Sequence, residues 1–226
     1  MSRITHLGPE DHALVAAAVT RAEEGTDGEI VTIVAERSDQ YHDAALHYAI
    51  AAALAVIALA AISPGAFETR FGWFSGGWGE SDPRLLLFVM LIAETITFLV
   101  VRYALVWMPL RMALTPHGTR ARRVRRRAIQ YFKVGAERRT NARVGILLYL
   151  SLDERMAEIV ADEAIHKAVP AERWGDAMAA LVDQVREGRP AHGMAAAVAS
   201  IGTILSETFP KTETDRNELP DRLIEL

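Results

Sequence analysis

The 226-residue chain contains no cysteine, which excludes disulfides, thiolate metal sites and cysteine nucleophiles. It also lacks a glycine-rich phosphate loop with its lysine, a paired-aspartate motif closing a strand, and a histidine pair at metal-ligand spacing. The seven histidines are scattered. No charge of one sign dominates: 25 Lys and Arg stand against 29 Asp and Glu, for a net charge of -4, and that balance alone names no partner. Residues 1 to 42 show no basic n-region, apolar h-region or small-residue cleavage site, so a cleaved secretory leader is not expected.

What the chain has is two long apolar runs, Ala44 to Ile62 and Leu85 to Leu110. The first holds no Asp, Glu, Lys or Arg, and the second only Glu94 and Arg102. A helix needs about 20 apolar residues to cross a hydrocarbon layer roughly 30 Å deep. Two transmembrane helices, spanning about 44-62 and 85-108, are therefore expected within a hairpin at 43-110. The mean hydropathy of +0.10 averages this segment with soluble ones and describes neither.

The second run is followed by Arg111, Arg120, Arg122, Arg123, Arg125, Arg126, Arg127 and Lys133, whereas the connecting segment 63-84 holds only Arg70 and Arg84. Basic residues stay on the cytoplasmic side. A multi-pass protein of the cytoplasmic (inner) membrane with both termini in the cytoplasm is expected. The connecting segment then faces outward, and its Phe67, Phe71, Trp73, Phe74 and Trp78 suit the membrane interface, with a binding loop as the alternative.

The flanking segments read as parts of one fold. Gly8-Pro9-Glu10-Asp11 opens a helix, carried on by Leu14, Val15, Ala18, Val19 and Ala22 at helical spacing. Glu29 to Glu36 is β-branched and apolar on both faces, as a strand inside a sheet is. Val144 to Leu152 has the same character, and Met156 to Ala161 follows through the turn Asp153-Glu154-Arg155. Helices are expected at about 172-187 and 191-208. Segments 1-42 and 118-209 total about 130 residues, the size of one domain. The reading is a single small α/β domain interrupted by the two-helix hairpin, with 210-226 as a tail that serves as a strand, a strap or a linear motif.

Gly28-Glu29-Ile30-Val31 after an amphipathic helix, Arg143-Val144-Gly145-Ile146-Leu147-Leu148-Tyr149-Leu150-Ser151, Ala157-Glu158-Ile159-Val160-Ala161-Asp162 and the closing Asn217-Glu218-Leu219-Pro220-Asp221 resemble the TPM-domain family. That family includes thylakoid photosystem-repair proteins with acid phosphatase activity and many bacterial membrane proteins, so the resemblance implies a TPM-like fold in a two-span bacterial branch. Many members carry Asp-Asn-Gly ahead of the second strand. This chain has Thr140-Asn141-Ala142-Arg143-Val144-Gly145 there. The resemblance thus carries fold, and assigns no catalytic residue.

Candidate chemistry is sparse. Asp162, Glu163 and His166 form the one cluster suited to a divalent cation such as calcium or magnesium, with Asp153 and Glu154 as further oxygen donors. Over 118-136, Ala121, Val124, Ala128, Tyr131 and Phe132 line one side of a helix, while Arg120, Arg122, Arg123, Arg125, Arg126 and Arg127 crowd the other as a lipid-facing cluster for anionic head groups. Nucleic acid is not expected as the partner of that cluster, because a membrane is already adjacent. Glu94 lies inside the second apolar run, where an acid costs roughly 2.5-3.5 kcal/mol. It is expected to be protonated against the first span or a second copy, and Ala45, Ala49 and Ala53 recur at a spacing that lets helices approach. Two functions follow: a membrane-tethered interaction module for assembly or maintenance of other membrane proteins, or a metal-dependent phosphate-ester hydrolase.

Overall fold

A computed structural model describes residues 7-71, 83-135, 144-170, 172-212 and 221-226. The chain divides into two compact units, residues 1-39 with 117-226 and residues 40-116. The aromatic side chains of the connecting segment, residues 140-143 and residues 217-220 of the closing motif lie outside the described residues.

The first unit is α/β. Its strands β1 (Glu29–Ala35), β2 (Gly145–Ser151), β3 (Met156–Ala161) and β4 (Leu223–Glu225) form one sheet in the order β3-β2-β1-β4. β1 is parallel to both β2 and β4, and β2 and β3 form an antiparallel hairpin whose turn places Arg155 at φ 53°. Within the tail, Leu223–Glu225 form a strand added at the β1 edge.

Strand side chains alternate between faces, and the two faces are covered differently. Ile30 and Val34 of β1 and Ile146, Leu148 and Leu150 of β2 meet α1 (Pro9–Glu23), α7 (Glu163–Ala168), α8 (Arg173–Arg186) and α9 (Pro190–Thr208) in the larger core. Ile33, Ala35, Leu147 and Tyr149 point the other way, onto Val124, Ala128 and Phe132 of α6 (His117–Gly135). This explains why both central strands read as apolar on two faces. On the larger side α1 and α9 approach so closely at Gly202 that a Cβ there would lie 2.6 Å from the Cβ of Ala22.

The second unit contains α2 (His42–Ile62), α3 (Pro64–Phe71), α4 (Pro83–Ala104) and α5 (Met108–Leu114). α2 and α4 pack against each other, and both are long and apolar enough to cross a membrane. At 1.5 Å per residue their 21 and 22 residues give about 32 Å each. The apolar run Leu85 to Leu110 is not one helix. Pro109 has no amide hydrogen and its ring would clash with the carbonyl four residues back, so α4 stops at Ala104 and the proline sits instead in the first turn of α5.

Candidate functional site

The three residues expected to hold a cation stand at the amino end of the parallel strands, where β3 leads into α7. Asp162 is buried, its Oδ2 accepts the Gly145 N–H at 2.8 Å and its own N–H donates to the Gly145 carbonyl at 2.9 Å. These bonds prolong the β2-β3 ladder. Glu163 is exposed and pairs with Lys167 at 2.6 Å, and His166 is exposed on the same short helix. Among the described residues no three histidines or acids gather as a metal cage. Asp162 serves the sheet, and its two companions serve the surface.

The acids of the Asp153-Glu154-Arg155 turn have moved to the other, carboxyl end of the strands. Glu154 is 3 % exposed, accepts the Ser38 N–H at 2.9 Å through Oε1, and accepts the Ser151 hydroxyl through Oε2. The Ser38 hydroxyl lies 3.0 Å from the Tyr149 hydroxyl, and burial pushes the Tyr149 phenol up from its ordinary value of 10.0 against the Ser38 hydrogen bond. Asp153 faces Arg37 at 3.3 Å. This network fixes the segment leaving β1 onto the end of β2.

α6 reaches the same network, and its arginines divide. Arg123 pairs with Asp39 at 2.5 Å, and Arg127 donates to the Ser38 carbonyl at 3.0 Å while lying over the Tyr131 ring. Arg120 is half-buried, with Nε enclosed and no acceptor among the described residues. Arg122, Arg125 and Arg126 are exposed, with Arg125 4.0 Å from Glu158. Burial raises the Glu158 carboxyl and that guanidinium lowers it. The helix therefore has an outer basic row of three arginines and an inner set that clamps the domain.

In the second unit Glu94 is half-buried on α4. Thr95 and Thr97 return their hydroxyls to the carbonyls of Leu91 and Ala93, both at 2.8 Å, which satisfies them within the helix. Ala45 and Ala49 are fully buried, so two members of the small-residue stripe already serve packing inside the chain. Arg111 escaped notice in the sequence, where it counted only as one more basic flank. It is 4 % exposed and donates to the carbonyls of Leu105 and Gln40, both at 2.6 Å. One side chain thus ties the chain entering the hairpin to the chain leaving it.

A second feature missed in the sequence is a cavity at the amino end of β1. It is bordered by Thr20, Glu23, Glu24, Glu29, Lys211 and Asp221. Glu23, at the end of α1, is 9 % exposed. Its Oε1 accepts the Ile30 N–H at 2.7 Å. Burial first, then the like charges of Glu29 and Asp221 and a hydrogen bond shared with the Asp221 carboxyl, push its carboxyl from 4.5 up to about 8 against the Ile30 hydrogen bond. A glutamate pair closing a helix gives no sequence signal of this.

Residues 111-204 match the TPM domain family model. In fold the chain is similar to BA42 protein from the psychrophilic bacterium Bizionia argentinensis, known from an NMR structure, with a TM-score of 0.57, 17 % identity and 100 % of each chain covered. At that identity the likeness is one of fold. No curated protein matches the sequence.

Proposed function

Because this chain carries a TPM domain, we propose that it is a membrane-tethered interaction module, in which the domain is held at the inner leaflet by a two-span hairpin and acts on the assembly or maintenance of other membrane proteins. One observation carries the reading. β1 precedes the two apolar helices, β2 follows them, and the two strands pair residue for residue from Glu29 with Gly145 to Ala35 with Ser151. A sheet cannot be completed across a bilayer. An even number of crossings between β1 and β2 satisfies that constraint, and α2 and α4 supply two.

The surface of those helices supports the same reading. Leu54, Leu59, Leu87, Leu91 and Val100 are 57-68 % exposed, and apolar area left in water costs about 25 cal/mol per Å². Lipid would cover it. In this reading the positive-inside rule puts the domain on the cytoplasmic side, with the exposed Arg122 and Arg126, and Arg125 beside Glu158, as the arginines that meet anionic head groups. Glu94 and the remaining apolar surface are where a second copy or another membrane protein would dock. The hydrolase reading has less behind it, since Asp162 and Glu154 spend their carboxylates on backbone and hydroxyl donors of the fold.

The absence of cysteine makes the topology directly testable. Ser75→Cys in the connecting segment should react with a membrane-impermeant maleimide in intact cells, and Thr203→Cys, exposed on α9, only after the membrane is opened. Labelling of Thr203→Cys in intact cells would overturn the orientation. Crosslinking in native membranes should then recover membrane-protein neighbours; metal-dependent phosphomonoester turnover lost in Asp162→Asn would instead establish the hydrolase.

A further inference from the structure

Glu94 is an acid that its own hairpin leaves unanswered. It lies midway along the 22 residues of α4, about 15 Å from either end of the helix. Its side chain is half-buried, and among the described residues it makes no hydrogen bond or ion pair. The hydroxyls of Thr95 and Thr97 are already given to the carbonyls of Leu91 and Ala93. Arg102 stands eight residues further on, about 12 Å along the axis. From Ala49 to Ile62 α2 consists of Ala, Val, Leu and Ile alone, so the helix packed against α4 offers no side-chain donor over that length.

An ionisable group deep in a bilayer is costly until it is paired, and lipid tails carry nothing to pair with it. Leu87, Leu91 and Glu94 recur at helical spacing and share one face of α4, on which Leu87 and Leu91 are 67 % and 57 % exposed. Lipid covers leucines well enough. The carboxyl instead calls for a partner that brings a polar group to the same depth. A neutral carboxyl is donor and acceptor at once, and so is complementary to itself. Every inserted copy carries the same arginines behind α4, and hence takes the same orientation. A two-fold axis along the membrane normal then sets like residues against like, at equal depth. A second copy of this chain therefore arrives with the required group already in place.

We propose that two copies of the chain pair in the membrane through α4, each Glu94 carboxyl donating its O–H to the carbonyl oxygen of the other, with Leu87 and Leu91 packed across the two-fold axis. The proposal rests on the reading of α2 and α4 as a membrane hairpin, and names the partner of that hairpin's acid. Pairing brings two TPM domains together on one leaflet, which raises their avidity for any partner they share.

The test uses the full chain in its native membrane, with single cysteines placed in a sequence that has none. Leu87→Cys and Leu91→Cys report the proposed face, and Ile96→Cys, also exposed, reports the far side of α4. Oxidation with copper phenanthroline should give a disulfide-linked dimer on a non-reducing gel for the first two, and several-fold less for Ile96→Cys. Adding Glu94→Gln to Leu91→Cys should keep the dimer, because an amide is also donor and acceptor. Adding Glu94→Leu should lower it several-fold. No dimer at positions 87 and 91, an equal yield at 96, a crosslink to a different protein in place of the dimer, or a yield that Glu94→Leu leaves unchanged each overturns the proposal. The comparison of faces needs no change at Glu94, and so stands even if Glu94→Leu fails to insert. Maleimide labelling of Ser75→Cys reads the hairpin separately: where it succeeds and the dimer fails, only the pairing falls.

Discussion

At the scale of single residues, environment decides what identical side chains do. Glu23 and Glu24 are neighbours of the same type, yet Glu24 is exposed and Glu23 is enclosed with a carboxyl at about 8. The consequence for stability has a definite sign. Below 4.5 the group is protonated in both folded and unfolded chains; between 4.5 and about 8 the unfolded chain ionises while the fold keeps its proton, so stability is lost as pH rises through that window and levels off above it. A shift of this size corresponds to several kcal/mol at most. Melting curves from pH 5 to pH 9 should show Glu23→Gln gaining on the parent as pH rises, with the gap constant above about pH 8. Parallel curves would show that Glu23 ionises as an ordinary surface acid. The sequence hides this because the partner charge, Asp221, lies almost at the other end of the chain. Asp162 teaches the complementary lesson: beside Glu163 and His166 it reads as a ligand, and only the bond to Gly145 reveals a strand-ladder role.

At the scale of elements, periodicity carried most of the information. The apolar faces of β1 and β2 are visible in sequence because both sides of these strands are buried, and α1, α8 and α9 follow from their apolar stripes. What periodicity could not resolve was the use of polar faces. The arginines of α6 form one chemical cluster in sequence, but Arg123 and Arg127 bind Asp39 and Ser38, residues brought near only by the fold. Likewise α5 was hidden in an apolar run whose division depends on Pro109. Among the described residues β4 is the shortest strand, and its worth comes from where it sits. It covers β1 from Thr32 to Val34, buries Leu223, and is fastened by Leu226 N–H to the Val34 carbonyl at 2.9 Å and by His12 to Glu225 at 3.1 Å. Ending the chain after Thr212 removes a buried leucine worth roughly 1.5-3 kcal/mol and opens an unpaired edge on a central strand. A melting temperature lowered by several degrees and concentration-dependent aggregation are expected. An unchanged melt in the truncated protein would show that β4 adds nothing to the sheet.

At the scale of the whole molecule, the chain is one domain written in two pieces around another unit. Among the described residues, both core clusters are built from segments 1-39 and 117-226. The inserted unit has its own closure: Arg111 joins Gln40 to Leu105. Such independence makes the insertion removable. Asp39 is held to Arg123, six residues into α6 from His117, and six residues of helix rise about 9 Å. A Gly/Ser linker of about eight residues has a root-mean-square span of roughly 16 Å, enough to join residue 39 to residue 117 without disturbing either. The joined protein should be soluble without detergent, unfold in a single cooperative transition, and keep β1 paired with β2, as read by protection of the Ile30 to Val34 amides from hydrogen exchange. The edge of the prediction is sharp: β1 reaches β2 only through long-range contact once the hairpin is gone, so exchange as fast as in an unfolded peptide would mean that the hairpin itself, rather than the complementary faces of the two strands, brings the halves together.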